Sequence, residues 1–130
     1  MARKKIVTEE PLSLEQLERD ALAAPRDRTV WLRWAWALYG AGQPVRAAEQ
    51  ARKAGELDAG DPEPTYLLGI ALKAAGDRAG AVGAFRAAAA GMARLQDPGR
   101  AAMLRRLAVG QANWLERGMW DLEPETWVRT

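Results

Sequence analysis

Residues 28–61, RTVWLRWAWALYGAGQPVRAAEQARKAGELDAGD, and residues 62–95, PEPTYLLGIALKAAGDRAGAVGAFRAAAAGMARL, decide the fold. Laid over one another they match Leu38 with Leu72, Gly42 with Gly76, Ala47 with Ala81 and Ala54 with Ala88, each pair 34 residues apart. Ala, Leu, Arg and Glu favour helix and β-branched residues are sparse, so both stretches are helical. Gly42-Gln43-Pro44 and Gly76-Asp77 are stop-and-start signals. Glycine ends one helix, and Pro44 or Asp77 opens the next. Each copy reads helix, tight turn, helix.

The same punctuation extends outward. Ser13 caps the apolar run Leu14, Leu17, Ala21 and Leu22, Gln16 completes a capping box, and Pro25 closes the helix. Further helices are expected over about 28–40, 44–57, 62–75 and 78–93. Asp97-Pro98 opens a sixth that reaches Arg117-Gly118, with Leu104, Leu107, Ala108, Gln111, Trp114 and Leu115 as its apolar face. The chain divides into a polar, frayed segment 1–12, a single helical domain 13–118 and an extended tail 119–130. In the tail, Glu123-Pro124-Glu125 interrupts any helix.

Helix pairs at a period of 34 residues resemble the tetratricopeptide repeat family, over about 28–61 and 62–95, half of the chain. In the first copy Trp31 fills the leading large slot, Trp34 stands where Leu is usual, and Ala35 and Leu38 follow. Ala47, Ala51 and Ala54 supply the second helix. The second copy repeats this with Leu68-Gly69, Leu72, Ala81, Phe85 and Ala88. Ala59 and Ala93 stand where the closing Pro is usual, its work shifted to Pro62 and Pro98. Pro25 sits where a preceding unit would end, so residues 13–24 look like its remnant second helix. The sixth helix is too irregular for a third repeat and reads as a cap.

The resemblance implies an all-α fold, an α-α superhelix of helical hairpins with flanking helices. It also implies a concave groove lined by the first helices. Its residues are Thr29, Leu32, Trp36 and Tyr39, then Glu63, Tyr66, Ile70 and Lys73. Such an apolar groove suits an apolar helix or extended segment. Family members that clamp the carboxylate of a chaperone tail use Lys and Asn where Leu32 and Trp36 stand. Apolar residues cannot neutralise a carboxylate, so that activity is not expected. Trp31, Trp34 and Trp114 are expected in the core, Trp36 in the groove.

Composition narrows the chemistry. The 130 residues include no Cys, no His and a single serine, Ser13. Disulfides, imidazole bases, Cys/His metal sites and Ser-His-Asp triads are excluded. Carboxylates are scattered over helix starts and exposed faces. Gly76, Gly80 and Gly83 lack the Lys-Ser/Thr of a phosphate loop and follow no strand. No metal, cofactor or catalytic residue is expected, and the chain reads as a protein-binding adaptor, chaperone-like factor or accessory subunit.

One alternative is a self-associating structural subunit, since two repeats fall short of the roughly three a stack needs. Another is RNA or DNA binding through Arg94, Arg100, Arg105 and Arg106, against which stands a near balance of 19 basic and 17 acidic residues. No apolar run reaches the ~20 residues of a membrane span, and the start lacks a secretory pattern, so the cytoplasm is expected. Arg outnumbers Lys 15 to 4 and Ala is the commonest residue, which resembles a GC-rich bacterial composition. Trp120, Leu122 and Trp127 are expected to dock the tail, against the sixth helix or in the groove of the same or a neighbouring molecule. The alternative is a purely solvating tail.

Overall fold

The computed structural model describes residues 12–92 and 97–122. Its described residues form helices and no strand: α1 Leu14–Ala23, α2 Arg28–Gly40, α3 Pro44–Leu57, α4 Glu63–Ala74, α5 Arg78–Gly91 and α6 Pro98–Arg117. Residues 1–11, expected to fray, and the tail beyond Leu122 lie outside the described residues.

Four of the six starts, those of α1, α2, α5 and α6, are set by short side chains that accept from the first free N–H groups. Ser13 Oγ accepts from Gln16 N at 3.1 Å. Asp27 accepts from Thr29 N at 2.9 Å, Asp77 from Gly80 N at 2.9 Å and Asp97 from Arg100 N at 3.1 Å. Pro62 has no capping side chain, and Asp61 reaches past it to accept from Glu63 N at 3.0 Å. The capping box at α1 is incomplete. Gln16 turns along its helix, donating to Asp20 at 2.8 Å and accepting from Arg19 at 2.8 Å, so it does not reach back to Ser13.

The two turns match bond for bond. Gly42 at φ 78° and Gly76 at φ 88° take the left-handed conformation that glycine adopts without penalty. In the first, Gln43 N donates to Leu38 O at 2.9 Å; in the second, Asp77 N donates to Leu72 O at 2.9 Å. These close the same helix-ending loop 34 residues apart.

Successive helices pack on one another, and α2 also touches α4, giving an all-α repeat-like stack. Ala47, Ala51 and Ala54 of α3, and Ala81 and Ala88 of α5, are buried and let the helices approach. Trp31, Trp34, Leu38 and Phe85 fill the spaces between them. The tightest crossing is at Gly69, where a Cβ would stand 2.7 Å from the Phe85 ring. Only glycine fits there, whereas Ala35 and Ala51 occupy the corresponding places one period earlier.

The expected face of α6 is corrected. Trp114 is 48% exposed and Leu107 is also exposed, while Ala108, Val109, Gly110, Ala112 and Asn113 are buried. Helix α6 is covered on two sides, by α5 and by the segment after Gly118, and the burial follows both neighbours. No described helix is long and apolar enough to cross a membrane.

Candidate functional site

Helices α2, α4 and α6 contribute to one face, joined by polar contacts across the stack. Trp36 Nε1 donates to Glu63 Oε2 at 3.2 Å, joining α2 to α4. Arg100 Nη2 lies 3.5 Å from Glu63 Oε1, and Lys73 Nζ donates to Gln111 Oε1 at 2.8 Å, joining α4 to α6. Trp36 and Tyr39 meet edge to face with centroids 6.3 Å apart, both exposed to solvent. Beside them opens a cleft of about 300 Å³ lined by Tyr39, Ile70, Lys73, Ala74 and Gln111.

Tyr66 of α4 hydrogen-bonds Gln111 of that cleft. Its ring leans on Phe85 with centroids 5.4 Å apart. Burial raises the pKa of its phenol, a hydrogen bond with Gln111 acts in the opposite direction, and Tyr39 adds a smaller upward push. The hydroxyl therefore stays protonated and serves as a neutral partner to Gln111.

Of the residues expected on this face, Trp36, Tyr39 and Lys73 are exposed, Glu63, Tyr66 and Ile70 are half-buried, and Thr29 is exposed at the start of α2. Leu32 is a correction: it is 7% exposed and belongs to the main core. It shares a side of α2 with Trp36 in helical projection. Yet α2 is covered by α1, α3 and α4, and a short aliphatic side chain does not emerge between them. Sequence reasoning missed the third wall, Arg100 and Gln111, because α6 was read as a cap. The available signal was Pro98, which follows Pro62 at close to one repeat period.

The arginines of α6 do not share a face. At about 100° per residue, Arg100, Arg105 and Arg106 point in three directions around the helix. Arg94 lies outside the described residues. A second cleft of about 510 Å³ between α5 and α6 is lined by Arg78, Ala79, Val82, Leu115 and Glu116. Its polar groups are tied internally: Arg78 Nε donates to Leu115 O at 2.5 Å, and Arg86 bridges Asn113 and Glu116. No group of three or more metal-binding side chains occurs among the described residues.

The described part of the tail turns back on α6. Gly118, at φ 70°, ends the helix with its N–H on Trp114 O at 2.8 Å. The Trp120 ring then lies directly on Gly110, in space that a Cβ would need. Asn113 Nδ2 donates to both Asp121 O at 2.7 Å and Asp121 Oδ1 at 2.9 Å, and Arg117 pairs with the same carboxylate at 3.0 Å. Leu122 is half-buried, and Trp127 lies outside the described residues.

No protein-family model matches the chain, and no curated protein matches it.

Proposed function

We propose that the chain is a non-catalytic protein-interaction module of tetratricopeptide type, an adaptor or accessory subunit of a bacterial cytoplasm. It holds an apolar helix or extended segment on the face shared by α2, α4 and α6. The carrying observation is the exposed Trp36–Tyr39 pair beside the cleft over Ile70. Aromatic side chains with a polar edge bury large area on binding at little entropic cost, and they dominate the energetics of interfaces. Glu63, Arg100 and Lys73 form a charged rim that fixes orientation, adding specificity more than affinity. The matching turns at Gly42 and Gly76 support the repeat reading.

The test is selection of displayed random peptides on the full chain, followed by calorimetric titration of the winners. A Trp36→Ala, Tyr39→Ala double variant removes two exposed rings and spares the core. Apolar peptides should be selected, and the variant should bind them about tenfold or more weakly. Equal affinity for both proteins would place binding elsewhere.

A further inference from the structure

We propose that the outward face of α6 is a second docking site, separate from the cleft. It takes an extended segment of the form aromatic, acidic, aliphatic, and Trp120-Asp121-Leu122 occupies it as an internal competitor.

The site is built at some expense to the helix that carries it. Gly110 stands inside α6, where glycine is a much poorer helix former than Ala. What its missing side chain provides is the seat for the Trp120 ring. Asn113, one turn later, is a poor helix former and is fully buried. Its Oδ1 accepts from Arg86 Nη2 at 2.9 Å, and its Nδ2 donates twice to Asp121. An amide buried in this way demands an acceptor opposite it, because an unmet buried donor carries its full desolvation penalty. Arg117 adds a cation to the same spot. Together the three residues specify a ring followed at the next residue by a carboxylate and a backbone carbonyl.

The stack shows what kind of position this is. In α4, Gly69 receives the Phe85 ring of the following helix, and its neighbour Ile70 lines the cleft. In α6, Gly110 receives the Trp120 ring of the following segment, and its neighbour Gln111 lines the same cleft. The strap therefore lies on the side of α6 where α5 lies on α4. It fills that side with residues 120–122 in place of a helix, and Trp120 stays 49% exposed. A partner segment with the same chemistry and more apolar area can displace it.

The test uses the full chain with Trp120→Ala and Asp121→Ala, which empties the seat without touching α6. The probe is a labelled peptide of sequence Gly-Met-Trp-Asp-Leu-Glu, followed by fluorescence anisotropy. The variant should bind it one to one, about tenfold or more tightly than wild type, whose seat is occupied. Adding Arg117→Glu, an exposed change that leaves the core alone, should weaken the binding, and a Gly-Met-Ala-Ala-Leu-Glu peptide should not bind. Circular dichroism establishes that each variant is folded. No saturable binding to the folded variant, or equal binding by wild type and variant, overturns the proposal.

Discussion

Gly69 and Gly110 are the same device at two places in one stack. At Gly69 the incoming ring belongs to a helix: Phe85 is fully buried and held by α5 along its length. At Gly110 the ring belongs to a strap, half exposed, whose Asp121 is bonded to Asn113 and Arg117. The first is a permanent part of the core. The second is a contact with the geometry of core packing and the exposure of a surface loop, the low-stability end of the range over which parts of a fold open. A short strap can therefore cover on one helix the kind of position that a following helix covers elsewhere in the stack.

Substitutions separate the two cases. Phe85→Ala should have the largest effect, about 3–5 kcal/mol in urea unfolding, because it leaves a cavity between α4 and α5. A loss no greater than that of Trp120→Ala would break the comparison. Next come the glycines. Gly69→Ala forces a Cβ against a ring that cannot leave, and about 1–3 kcal/mol should be lost. Gly110→Ala meets a ring that can, so release of the strap is offset by the better helix former, leaving a net change within about 1 kcal/mol. Trp120 fluorescence should shift toward water in that variant alone.

Trp120→Ala itself should lower stability by about 1 kcal/mol, since only half of the ring is buried. The smallest effect is electrostatic. The folded state raises the Tyr66 phenol above its ordinary value of 10.0, so on raising the pH the unfolded chain loses that proton first. Stability from this group is complete below about pH 10 and declines above it. Denaturant melts at rising alkaline pH should show a decline that is shallower in Tyr66→Phe.

The helices were legible because their ends are local. Ser13, Asp77 and Asp97 cap within three residues, and Gly42 and Gly76 stop helices by backbone freedom alone. The faces were less so. Leu32 was placed in the groove by the resemblance and Trp114 in the core by projecting α6 alone, yet burial depends on every neighbour, and neighbours enclose Leu32 and leave Trp114 open. Gln111 and Arg100 were hidden by the longer connection before Pro98, which shifts α6 out of the strict period. Asn113 was the least legible residue, because a buried amide makes sense only beside distant partners such as Arg86 and Asp121. In retrospect, Gly110 and Asn113 one turn apart, followed by Gly118 and a Trp-Asp pair, were the available sign.

The most direct test of two separate sites uses the six tryptophans as reporters, each with one indole N–H signal in a nitrogen–proton correlation spectrum. The full chain is titrated with an apolar peptide selected on it. The Trp36 signal should move to saturation, while those of Trp31, Trp34 and Trp120 stay in place. Movement of Trp120 with Trp36 unchanged would put peptide binding at the end of α6 and contradict the assignment of the α2–α4–α6 face.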